Sequence, residues 1–132
     1  MAKTDYDYID TVLVVDNSES MEYENWENAQ IACNTLIEDV YSNSKNRMSL
    51  ILFNSTANIK QNLTTDKAAI KNEIDNLSFQ SGTNYYQAFK KIEEILSTYT
   101  KEANRELLFI FLTDGVPNEE APNEQALYKL IK

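Results

Sequence analysis

The 132-residue chain contains no histidine, one cysteine, two glycines and two prolines. Each scarcity excludes something. Without histidine there is no imidazole for a catalytic triad or for the common zinc sites, and one cysteine can neither build a thiolate site nor close an internal disulfide. Cys33 falls on the apolar stripe of an expected helix, which reads as a buried free thiol and accords with a reducing compartment. No apolar run approaches the ~20 residues needed to cross a bilayer, and residues 1–10 are polar rather than signal-like. These features fit a cytoplasmic chain, with a cell-surface or secreted parent as the alternative. Positive charge is scarce too: 12 Lys and Arg stand against 21 Asp and Glu, a net charge of -9. An anionic surface repels nucleic acid and anionic membranes, gives no reason to expect membrane insertion, and favours a cation.

What the chain does have is regular apolar patterning. The run through residues 11–15 is apolar on both faces and predicts a central strand covered by helices on each side. A helix follows, with Trp26, Ala29, Cys33, Leu36, Ile37 and Val40 at three- and four-residue spacing. Strands are expected over 48–53 and 57–63, the second with Ala57, Ile59, Gln61 and Leu63 on one face. Only three residues separate them, too few for a parallel crossover, so they form a hairpin whose second strand is an antiparallel edge. A short helix over 66–77, with Thr64 and Thr65 as candidate caps, faces inward through Ile70, Ile74 and Leu77. A third helix carries the stripe Tyr85, Phe89, Ile92, Leu96 and Tyr99. A fourth strand spans 107–112, and a last helix begins near Asn123. Right-handed crossovers then give an open, doubly wound, mostly parallel α/β sheet in the order 3-2-1-4, Rossmann-like, with helices on both faces.

Three short stretches fall where that topology gathers the chain. Asp16-Asn17-Ser18-Glu19-Ser20 follows the first strand, Ser81-Gly82-Thr83-Asn84 opens the third helix, and Thr113-Asp114-Gly115 follows the fourth strand. In open α/β sheets ligands bind beyond the carboxyl ends of the strands, where neighbouring strands send their chains to opposite faces. Both glycines of the chain, Gly82 and Gly115, lie in these stretches, as expected where backbone passes close to a ligand or takes positive φ. Carboxylate and hydroxyl oxygens are the hard donors that magnesium and manganese prefer. Glu19, Glu22, Glu24 and Glu27 cluster after the first stretch and raise the local attraction for a cation.

Asp16-x-Ser18-x-Ser20 followed by Met21, the later Gly82-Thr83, and Thr113-Asp114-Gly115 at the end of an apolar strand together resemble the von Willebrand factor A domain. In that family these elements form a metal-ion-dependent adhesion site. The resemblance implies that Ser18, Ser20 and Thr83 ligate the ion directly while Asp16 and Asp114 act mostly through bound water. It implies Mg2+ or Mn2+ in preference to Ca2+, and a partner protein that presents an Asp or Glu side chain as the outside ligand. Glu19, Asn84 and Tyr86 are candidates for the surrounding rim. The likeness covers nearly all of this chain but only the first part of the family's domain, so residues 1–132 read as a single, incomplete domain. The fourth strand would then be an edge able to drive self-association.

Each residue also has a plainer reading. Ser18 or Ser20 would serve as a cap for the first helix, Thr83 as a cap for the third, and Asp114 as an ordinary turn residue before glycine. A magnesium-dependent phosphatase or phosphotransferase with Asp16 as nucleophile is the competing enzyme reading, although haloacid-dehalogenase-like enzymes place a second Asp where this chain has Ser18. A metal-free scaffold of the same fold is the third.

Overall fold

The structure, a computed structural model, describes residues 8–22 and 24–113. Its elements in chain order are β1 (Tyr8–Asp16), a 3₁₀ turn (Glu19–Met21), α1 (Glu24–Val40), β2 (Arg47–Phe53), β3 (Ala57–Thr64), α2 (Lys67–Asp75), α3 (Tyr85–Thr98) and β4 (Arg105–Leu112). The four strands form one sheet in the order β3-β2-β1-β4. β1 runs parallel to β2 and β4, and β3 closes the hairpin antiparallel to β2, as the short connection requires. The helix expected from Asn123 lies outside the described residues.

Alternation along β1 divides the core. Val12 and Val14 join Ile51, Phe53, Ala88, Phe89, Ile92 and Ile95 on the face covered by α3. Leu13 and Val15 join Cys33, Ile37, Leu50, Ile70 and Ile74 under α1 and α2. Burial of each of these larger apolar side chains contributes about 1.5–3 kcal/mol. Cys33 is free and fully buried, which pushes its thiol up to about 12.

β1 begins three residues earlier than its apolar run, and the extension carries a charge into the interior. Asp10 is fully buried. Its carboxylate accepts from Arg47 Nε at 2.9 Å and Nη2 at 2.6 Å, from Arg105 Nη1 at 2.8 Å and from the Tyr99 hydroxyl at 2.8 Å. Burial alone would raise the Asp10 pKa, but the bonds from Arg47 and Tyr99 and the charges of Arg47 and Arg105 hold it below the ordinary value. This cluster joins β1, β2, β4 and the end of α3 at the amino end of the parallel strands, opposite the motif-bearing end.

Further details differ from the sequence expectations, among them that β4 begins at Arg105 and α2 ends at Asp75. α2 is capped by Asp66, whose side chain accepts from Ala69 N at 3.2 Å, and not by Thr64 or Thr65. Asp66 wins because only a side chain at the residue before the first helical turn reaches that amide. β3 also contains a bulge. Ile51 pairs with Ile59 and Leu50 with Gln61, so Lys60 is an extra residue with no partner in β2.

Candidate functional site

Asp16 is the last residue of β1, paired with Phe53 at the end of β2. The next strand end is close beside it: Val15 pairs with Leu112, and Thr113 Oγ1 donates to Asp16 Oδ2 at 2.8 Å. The other carboxylate oxygen, Oδ1, accepts from Ser18 N at 2.8 Å. Asp16 is thus fully buried with both oxygens committed to neighbouring loop residues. The chain then turns through the 3₁₀ segment, which sets Ser18 Oγ and Ser20 Oγ 2.9 Å apart. Ser18 is buried, Ser20 and Glu19 are exposed, and Met21 is tucked into the core.

The second loop is laid against the first by backbone bonds. Ser18 and Gln80 form an isolated parallel bridge, and Gln80 N donates to Asn17 O at 3.0 Å. Gly82 then takes φ 94°, where a Cβ would clash, and Thr83 is buried immediately after it. Asn84 N donates to Asn54 O at 2.8 Å, fixing the entry to α3.

Two of the plainer readings can be weighed on this geometry. The cap of α3 is Asn84, whose side chain accepts from Gln87 N at 3.2 Å, so Thr83 is not that cap. Ser18 precedes the 3₁₀ turn without a capping bond from its side chain. The crevice therefore gathers Asp16, Ser18, Ser20 and the loop carrying Thr83. Asp114 and Gly115 lie outside the described residues. Among the described residues no three His, Cys, Asp or Glu side chains converge on one point, so the donors here are one carboxylate and several hydroxyls.

Of the expected rim, Tyr86 is exposed with Lys90 Nζ 5.2 Å from its ring centre, and Asn84 is half-buried in its capping role. Tyr85 does two things. Its ring packs edge-on against Phe53 at 5.6 Å, while its hydroxyl lies 3.0 Å from Thr113 Oγ1 and extends the Asp16 chain of hydrogen bonds.

Sequence reasoning missed the asparagine frame behind these loops. Asn54 Nδ2 donates to Asn17 Oδ1 at 3.0 Å, Asn17 Nδ2 donates to Ser78 O at 3.1 Å, and Asn17 N donates to Phe53 O at 2.9 Å. Both side chains are buried. The available signal was position: each asparagine directly follows the last residue of a buried strand, where backbone groups leave the ladder and need new partners.

Residues 11–116 match the family model of the von Willebrand factor type A domain. The chain is a member of the von Willebrand factor type A family. Solved structures agree on the fold. The vWF domain of the type V pili tip protein Mfa5 from Porphyromonas gingivalis superposes with a TM-score of 0.73 at 22% identity, over 83% of this chain and 38% of that one. The adhesive tip pilin GBS104 from Group B Streptococcus agalactiae gives 0.67 at 22% identity, over 84% and 46%. The pilus adhesin RrgA from Streptococcus pneumoniae gives 0.65 at 23% identity, over 91% and 23%. This type A chain therefore spans less than half the length of each of these three structures. No curated protein matches it.

Proposed function

We propose that this type A domain is a non-catalytic binding module that grips an acidic side chain of a partner protein through a bound Mg2+ or Mn2+ ion. Ser18, Ser20 and Thr83 supply direct oxygens, with Asp16 and Asp114 behind them. The observation that carries the reading is the spacing of the two serine hydroxyls. Adjacent ligands of an octahedral ion with bonds of about 2.0–2.1 Å stand roughly 2.9 Å apart, whereas the 2.3–2.6 Å bonds of calcium need a wider pair. Ser18 Oγ and Ser20 Oγ share a hydrogen bond at 2.9 Å, a separation that a magnesium-sized ion would keep in place of that bond. Asp16 fits a role through water, because Ser18 N and Thr113 Oγ1 already occupy its two oxygens.

A site of neutral hydroxyls also leaves the ion's charge largely uncancelled, so that an outside carboxylate gains from joining it. Two of the similar structures are of a pilus adhesin and an adhesive tip pilin, which is in keeping with a protein-binding role. The phosphotransferase reading fits less well. A nucleophile must face an incoming phosphorus, and the Asp16 carboxylate is wholly buried against its own loops.

Calorimetric titration with MgCl2 and MnCl2 tests the proposal. One site per chain is expected, absent in Asp16→Ala and weakened at least tenfold in Ser18→Ala. Equal binding by Asp16→Ala and the parent, or binding by neither, would remove the metal from the function.

A further inference from the structure

A second recess lies beside the crevice, on the face covered by α1 and α2. It has a volume of about 460 Å³ and is bounded by the end of β2, the β2–β3 turn, β3, the end of α2 and residues 76–81. Its hydrogen-bonding equipment is Asn58 and Lys60 from β3, Glu73 and Asn76 from α2 and its end, and Gln80 and Ser81 from the loop. Leu52 and Leu77 are its apolar lining. We propose that this recess binds a neutral saccharide.

Charge narrows the ligand first. In a chain of net charge -9 the recess carries one cation and one anion, Lys60 and Glu73. A phosphate polymer needs several cations, and the Lys60 ammonium in the same recess opposes a bound cation. Shape and chemistry narrow it further. The lining contains no aromatic side chain and only two large apolar ones, so a ligand here is held by hydrogen bonds and not by an apolar anchor. Ring hydroxyls both donate and accept. Side-chain amides present a donor and an acceptor side by side, a carboxylate accepts from neighbouring hydroxyls, and an ammonium donates to them. A recess of this volume is in the range that holds small organic ligands.

Capacity and rigidity support the assignment. Among the described residues the side chains of Asn58, Lys60, Gln80 and Ser81 make no hydrogen bond within the chain, so their polar groups are available to a ligand. Glu73 uses Oε2 to accept from Gln61 at 3.4 Å, and Asn76 uses its Nδ2 on Asn72 O at 2.9 Å, which leaves an oxygen on each. The walls are tied together by the Asn17–Asn54 frame and by Ser55 N donating to Ser81 O at 3.1 Å. Binding then orders few loops. Finally, Lys60 is the bulge residue of β3, and bulges serve to re-aim a side chain beside a site.

The test is amide chemical-shift mapping of the full 132-residue chain in EDTA, titrated to tens of millimolar with maltose, lactose, cellobiose and diacetylchitobiose. At least one disaccharide should give saturable shifts confined to residues 54–60 and 73–81. The double variant Asn58→Ala/Gln80→Ala, both on exposed side chains, should weaken that binding at least tenfold while its spectrum stays dispersed. Working in EDTA separates this site from the metal site, so failure of either leaves the other standing. No saturable shift with any of the four sugars, shifts indifferent to the double variant, or a response to an uncharged Ser-Asn-Gly peptide in place of the sugars would each overturn the assignment.

Discussion

Thr113 Oγ1 donates to Asp16 Oδ2 at 2.8 Å across 97 residues of sequence. The bond ties the end of β4 to the end of β1, and Tyr85 joins it from the start of α3 through its hydroxyl. Thr113→Val preserves the shape and removes the donor. It is expected to weaken the proposed magnesium binding by about tenfold, roughly 1.4 kcal/mol and close to the lower end for a hydrogen bond to a charged group. Calorimetry against the parent measures it, and unchanged affinity would show that Asp16 is held by Ser18 alone.

The Asn17–Asn54 bond predicts an effect on stability from a residue outside the proposed metal site. Asn54→Ala leaves the buried side-chain Oδ1 of Asn17 without its donor, at a cost of about 1–3 kcal/mol in urea unfolding. A cost near zero would mean that water replaces the amide without penalty.

The Asp10 cluster predicts a pH dependence. Because the folded-state pKa of Asp10 is lowered from its ordinary 3.8, its stabilisation is fully present above that value and is lost as pH falls through the folded one. Asp10→Asn keeps the volume but leaves Arg47 and Arg105 facing a neutral amide. A loss of about 3–5 kcal/mol is expected at neutral pH, shrinking in acid, by urea denaturation across the pH range. A loss below about 1 kcal/mol, typical of an exposed ion pair, would show that solvent screens the cluster.

Cys33 should be inert in the folded chain. Burial pushes its thiol up to about 12, so almost no thiolate exists at pH 8. Ellman's reagent should react with it only in guanidinium, and rapid reaction of the native chain would place the sulfur near solvent.

Among the described residues β4 pairs on one side only, with β1, and Leu108 is 37% exposed. An unpaired strand of this kind is expected to drive self-association of the chain through residues 105–112. Light scattering as concentration rises checks it, together with hydrogen exchange at the β4 amides. A monomer throughout, with no protection gained, would sink the idea.

Much of this molecule was legible because its local patterns are unambiguous. A run apolar on both faces makes β1 a central strand, three residues between apolar runs dictate the β2–β3 hairpin, and periodic stripes place α1, α2 and α3. The loops that carry Asp16, Ser18, Ser20 and Thr83 could be placed at one end of the sheet because they follow or precede the strands and helix that those patterns define. What only the tertiary structure decided depends on partners far along the chain. Asp10 looks like an ordinary polar residue before a strand, and only folding brings it Arg47, Tyr99 and Arg105, at separations of 37, 89 and 95 residues. The asparagine frame and the Lys60 bulge are of the same kind, since hydrogen bonds between loops and strand register are settled by which segments meet. Sequence periodicity reports what each segment buries, and burial is a property one segment can encode by itself. The partner of a polar group belongs to two segments at once, and is determined only when the sheet has closed.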